Sequence, residues 1–206
     1  MLYLNCFVIA ITALSQLAFP TLAAVSSGLE STPPGDVSIG NIVYGGTGCP
    51  QGSAQVWLQD KQSFAAHFRQ FTAYINTDTN NVADSRKFCQ LNLAVNAPSG
   101  WQFSIIQTDF AGYASLSANI EATHTNVVYF SGRTDDQVYS RSIRGPTYQD
   151  YNIRGTVGEY WSSCGNQALL NIKTILELNG QGYGAIREER GSGRLRQIYG
   201  LRWRPC

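Results

Sequence analysis

The stretch ALLNIKTILELNG, Ala168–Gly180, decides the fold. Two periodicities compete within it. Leu169, Ile172 and Leu176 lie three and four residues apart, as on one face of a helix. Leu170, Ile172, Leu176 and Leu178 instead stand two or four apart, with Asn171, Lys173 and Glu177 between them. The second pattern accounts for the polar positions as well as the apolar ones. Asn179-Gly180, directly afterwards, is a strong turn dipeptide between antiparallel strands. A strand is therefore expected over 168–178.

The same period recurs on both sides of this segment. Cys89, Leu91, Leu93 and Val95 alternate with Gln90, Asn92 and Ala94, which places the Cys89 sulfur on the core side. Phe64, Ala66 and Phe68 alternate with Ala65, His67 and Arg69, so His67 points outward, and Trp101, Phe103 and Ile105 form another such run. Further short runs over 42–44, 54–58, 126–130, 137–143 and 197–203 are separated by turn residues such as Pro98-Ser99-Gly100, Ser131-Gly132 and Gly145-Pro146. Many short strands with regular turns predict an all-β fold, an antiparallel β-sandwich of two packed sheets with two disulfides. No internal repeat is visible.

Composition bounds the rest. The chain has 206 residues, 43% of them hydrophobic, 12% aromatic and 14% charged, enough apolar surface for one domain with a real core. Fifteen basic residues against fourteen acidic ones leave a net charge of +1, without the positive excess that phosphate-backbone binding needs, so no nucleic acid partner is expected. Residues 1–24 contain no Asp, Glu, Lys or Arg. Cys6–Leu14 is an apolar run of signal-peptide length, followed by small residues at Ala23 and Ala24, so 1–24 is expected to be a signal peptide and the protein to be secreted. Residues 25–36, rich in Ser, Pro and Gly, are expected to form a flexible leader ahead of a single domain over 37–206. No later apolar run reaches the ~18 residues of a membrane span.

Removing Cys6 with the signal leaves Cys49, Cys89, Cys164 and Cys206, an even set suited to two disulfides in an oxidising compartment. Their wide spacing, with neither His67 nor His124 near them in sequence, does not fit a zinc site, and no metal is expected. Three pairings are open. Cys49 with Cys89 and Cys164 with Cys206 would close two loops of about forty residues, each worth ~4 kcal/mol in the chain-entropy model. The nested alternative, Cys49 with Cys206 and Cys89 with Cys164, would tie the chain ends together.

Beyond these patterns, the run Tyr44-Gly45-Gly46-Thr47-Gly48-Cys49-Pro50-Gln51-Gly52-Ser53 resembles the opening signature of the DUF4360 family of secreted, mostly fungal proteins. In the order expected of that family come Arg86–Leu91, Pro98–Phe103, Tyr129–Gly132, Gly145-Pro146, Trp161–Gly165, Leu170–Ile172 and Trp203–Cys206. Phe88 departs from the pattern, in which Asn is usual. The resemblance implies a secreted, disulfide-linked, β-rich domain. It implies no reaction, because the family has no assigned function, and no catalytic residue is carried over.

The residues themselves offer little catalytic chemistry. No G-x-S-x-G nucleophile elbow occurs. Gly46-Thr47-Gly48 lacks the third glycine of a dinucleotide fingerprint, and Gly45, Gly46 and Gly48 are expected to serve tight turns and close packing beside a disulfide. No cofactor is expected. Paired carboxylates are the one common hydrolytic device left open, with Asp109, Glu121 and Glu159 as candidates because they interrupt apolar or aromatic stretches. Asp78, Asn80, Asn81 and Asp84 form an oxygen-rich run whose spacing fails the EF-hand pattern, and a polar turn is expected there.

Aromatic residues give the best binding hint. Gly145–Trp161, expected to be a polar loop, carries Tyr148, Tyr151 and Tyr160, whose ring faces suit sugar stacking beside hydrogen-bonding groups. Arg187, Arg190, Arg194, Arg196, Arg202 and Arg204 outnumber Glu188 and Glu189 in the tail, a local excess that suits anionic glycans or simply a solvated strand face. The expected function is a secreted, monomeric, non-catalytic binder of cell-wall polysaccharide or an extracellular protein. The alternatives are a carboxylate-pair glycoside hydrolase and an effector-like protein-interaction module.

Overall fold

The segment that decides the fold class is strand at the centre of a sheet. The computed structural model describes residues 35–78, 84–187 and 195–206, and these contain twelve strands and no helix. In chain order they are β1 (Ser38–Gly45), β2 (Ala54–Asp60), β3 (Ser63–Phe68), β4 (Ala73–Asn76), β5 (Arg86–Asn96), β6 (Trp101–Leu116), β7 (Ile120–Phe130), β8 (Gln137–Arg144), β9 (Thr147–Thr156), β10 (Gln167–Gly180), β11 (Tyr183–Arg187) and β12 (Leu195–Pro205). The expected signal peptide and nearly all of the leader lie outside the described residues.

One sheet has five strands in the order β1-β5-β10-β7-β8. The other has seven, six of them in the order β2-β3-β12-β6-β11-β4, with β9 added against β6. Every pairing is antiparallel. β10 lies between β5 and β7, and its inward positions Leu170, Ile172, Leu176 and Leu178 are buried against the other sheet. These are the residues of the period-2 reading, and Leu169 of the helical reading is half exposed on the outer face. From the second sheet, Phe64, Phe68, Phe103 and Trp203 close the same core, and Phe103 meets Phe130 edge-on across the sheets.

Polar residues also lie between the sheets. His124 and Asn126 of β7, Thr174 of β10, and Gln197 and Tyr199 of β12 are all fully buried. The Tyr199 hydroxyl lies 2.9 Å from the Asn126 side-chain carbonyl and also meets Gln197, while Thr174 donates to Gln197 at 3.0 Å. Gln197 Nε2 is 3.2 Å from His124 Nε2, and the imidazole stacks on Phe110 with ring centres 4.1 Å apart. The bonds of Tyr199 to Asn126, Thr174 to Gln197 and Gln197 to His124 cross between the sheets and fix their mutual register.

Two disulfides complete the frame, Cys49–Cys89 and Cys164–Cys206, so the nested pairing is not the one formed. Cys49–Cys89 is buried, as the alternation around Cys89 requires. Gly46 and Gly48 beside it have the expected role. A Cβ on Gly46 would come within 2.3 Å of the Phe88 carbonyl oxygen, and one on Gly48 within 2.1 Å of the Phe71 ring.

The polar loop expected over 145–161 is corrected: its first half is β9, paired with β6 along ten residues. Alternation is present there, but the outward positions Tyr148, Asp150, Asn152 and Arg154 are exposed and polar, so composition alone resembles a loop. β4 and β11, four and five residues long, were likewise not expected as strands.

Candidate functional site

Cross-strand register on the second sheet brings together residues far apart in sequence. β6 is sixteen residues long and has β9 on one side and β11 followed by β12 on the other. Leu116 and Ala114 of β6 are in the core, so Ser115 between them faces out. Opposite Ser115 stand Tyr148 of β9 and Ala185 of β11, and opposite Ala185 stands Tyr74 of β4. One outward row therefore reads Tyr148, Ser115, Ala185, Tyr74. Tyr183, two residues before Ala185 on β11, faces the same way.

The three tyrosines are 65% (Tyr148), 56% (Tyr183) and 40% (Tyr74) exposed. With Ile75, Asn76, Ser115, Gly184 and Ala185 they line an open cleft of about 300 Å³. Small side chains at Ser115 and Ala185 leave a gutter between the outer rings. Two of the phenols are held in place: Tyr74 donates to Asp84 at 2.5 Å and Tyr183 donates to Asp78. The Asp78 carboxylate pushes the Tyr183 phenol above its ordinary range, which keeps it a neutral donor. Asp84 also accepts from Lys87. Of the oxygen-rich run read in the sequence, then, Asp78 and Asp84 orient tyrosines; Asn80 and Asn81 lie outside the described residues.

The three tyrosines named from the sequence do not meet on one surface. Tyr148 belongs to this tray. Tyr151 points inward opposite Gly112, with its hydroxyl 3.5 Å from His124 Nδ1. Tyr160 is only 5% exposed, packs on Phe130 and donates to the Asp135 carbonyl at 2.6 Å. Tyr74 and Tyr183 went unnoticed because their strands are short and their partners distant in sequence.

The candidate carboxylates are also apart. Asp109 faces out from the second sheet, where Arg154 donates to it twice, at 2.8 and 3.2 Å. Glu121 lies on the first sheet beside a separate cleft and accepts from Arg144 at 2.7 Å. The Ser142 hydroxyl and then Arg144 hold its carboxyl below the usual range. Glu159 accepts from Arg202 at 2.6 Å. Each has its own arginine, and Glu121 lies on the other sheet from Asp109. The arginine-rich tail is engaged too: Arg187 lies over the Tyr113 ring at 5.4 Å and Arg204 over Trp161 at 3.9 Å, while Arg190 and Arg194 lie outside the described residues.

Fold and surface together define a disulfide-linked antiparallel β-sandwich with an exposed tyrosine tray on one sheet. Residues 35–206 match the model of a domain of unknown function, DUF4360, and the chain belongs to that family. An uncharacterized secreted protein of Arthroderma benhamiae is 32% identical over 188 residues, covering 88% of this chain and 76% of that protein. The protein is secreted. Among solved structures, TmCBM61 in complex with beta-1,4-galactotriose covers 82% of this chain and 91% of its own, at 11% identity and a TM-score of 0.29. The family 11 carbohydrate-binding module from Clostridium thermocellum, in complex with a mixed-linked tetrasaccharide, covers 82% and 96%, at 8% identity and a TM-score of 0.21.

Proposed function

We propose that this protein is a monomeric, non-catalytic binder of extracellular or cell-wall polysaccharide and that the tyrosine tray is its binding surface. The observation that carries this reading is the convergence of Tyr74, Tyr148 and Tyr183 on one open sheet face. An exposed phenol ring offers an apolar face and a polar edge, the combination a pyranose meets with its C–H face and its hydroxyls. Asp78, Asp84, Asn76 and Ser115 add polar groups beside the rings, so stacking and hydrogen bonding are available together. Ring stacking is assigned to Tyr148 rather than to Tyr151 or Tyr160, which serve the interior. Residues 1–24 are assigned as the signal peptide that directs export.

Depletion of purified protein from solution by insoluble chitin, cellulose and β-1,3-glucan tests this directly. At least one of these polymers is expected to retain the protein, and Tyr148→Ala to weaken retention about tenfold, which corresponds to ~1.4 kcal/mol. Equal retention of Tyr148→Ala, or no retention by any of them, would refute the assignment.

A further inference from the structure

We infer that the tray takes an internal stretch of an uncharged polysaccharide laid across the strands, rather than a chain end or an anionic polymer; this rests on the glycan reading above. The row from Tyr148 to Tyr74 crosses four strands, so its outer rings are three interstrand spacings, about 14 Å, apart along the sheet. Both ends of the row lie on outer strands. Among the described residues β9 pairs only with β6, and β4 only with β11, while the Tyr74 N–H is bonded to the Asp84 carbonyl at 2.9 Å, so the chain at Asp84 borders that end. A ligand lying along Tyr148, Ser115, Ala185 and Tyr74 runs off the sheet past β9 and passes Asp84 beside Tyr74. A chain-end site would instead need a blind pocket that closes over a terminal sugar.

Length selectivity follows from the same geometry. Ser115 and Ala185 between the outer rings are too small to stack on a sugar, so a ligand must bridge the gutter to reach both Tyr148 and Tyr74. Tyr183, beside the row, adds a third ring. The phenols of Tyr74 and Tyr183 are already fixed by Asp84 and Asp78, so little side-chain freedom remains to be lost on binding.

Charge selects against anionic polymers. Asp78 and Asp84 stand at the rim, and Asp150 lies two residues beyond Tyr148 on the outward side of β9. Among the described residues, these three carboxylates stand against two nearby cations, Lys87, which bonds Asp84, and Arg187, which lies over the Tyr113 ring. Carboxylates accept hydrogen bonds from neutral sugar hydroxyls, whereas a uronate or sulfate chain would be repelled.

The test uses the full secreted chain with soluble probes: β-1,3-glucan, cellulose and chitin oligosaccharides of one, three and six sugars, the hexamers also capped at the reducing end, and polygalacturonate. In titrations with the oligomer type that binds, the hexamer is expected to bind at least about tenfold tighter than the trimer. Capping should leave the hexamer affinity unchanged, the monosaccharide should not compete, and polygalacturonate should not bind. Tyr74→Ala, which keeps Tyr148, is expected to reduce the hexamer to trimer affinity, with circular dichroism unchanged. Equal affinity for trimer and hexamer, loss of binding on capping, or preference for polygalacturonate would overturn this inference while leaving the glycan reading standing. Failure of every probe, together with failure of the insoluble polymers, would remove both.

Discussion

Two groups of tyrosines and polar side chains, one between the sheets and one outside them, use the same chemistry to opposite ends. Inside, the Tyr199 hydroxyl is shared between Asn126 and Gln197, its ring stacks on Phe64, and burial pushes its phenol far above the ordinary range. Outside, Tyr74, Tyr148 and Tyr183 present their rings to solvent, and two of them are positioned by carboxylates. A buried tyrosine with its hydroxyl satisfied holds strands together. An exposed one with its hydroxyl satisfied presents a fixed ring face. Burial separates the two roles, and sequence spacing does not.

The contrast breaks first at Tyr199. Tyr199→Ala would open a cavity between the sheets and leave Asn126 and Gln197 without that hydroxyl, at a cost of ~3–5 kcal/mol in unfolding free energy. Tyr148→Ala, by comparison, should change stability by less than ~0.5 kcal/mol while weakening glycan retention. Denaturant unfolding of both variants measures the difference. Comparable destabilisation would erase the division between the two groups.

A second test sharpens the interior half. Burial lowers the His124 pKa from an ordinary 6.5 to about 3, so the folded state holds a neutral imidazole where the unfolded chain would take up a proton. The associated stability is fully present above pH 6.5 and is lost progressively as the pH falls toward 3. Between pH 6.5 and 5, where the carboxylates stay ionised in both states, unfolding free energy should fall by up to ~2 kcal/mol. In His124→Gln that slope should flatten from a lower starting stability. An unchanged slope would contradict the assignment to His124.

The smallest effect on binding belongs to the Asp109–Arg154 pair, which lies on the same outer sheet face as the tray but several residues along β6 and β9 from it. Asp109→Asn should cost no more than ~1 kcal/mol, because Arg154 is mostly exposed, and should leave polysaccharide retention unaltered. Loss of retention would move the site along the sheet toward this pair.

Much of the scaffold was legible in the sequence. Wherever one face of a strand is apolar and the other polar, as in Cys89–Val95 and 168–178, alternation names the strand and its buried side together. The buried position of Cys89 followed from the same pattern, although its partner did not. β9 was missed because its inward positions include Tyr151 and Gly155 while its outward ones are strongly polar, and β4 and β11 are too short to carry a period. The tray is less legible still. It needs residues 74, 115, 148 and 185 in one row, and that row exists only once four strands take their register. Tyr148 could be suspected from its aromatic, polar surroundings, but nothing in the sequence separates its exposed ring from the buried ring of Tyr160.

Hydrogen–deuterium exchange of the secreted protein, with and without the soluble oligosaccharide that binds best, maps the bound surface onto the strands. Protection confined to the segments around Tyr74, Ser115, Tyr148 and Tyr183 is the expected result. Protection on the outer face of β5 and β10 instead, or around Tyr160, or no change at saturating ligand, would contradict it.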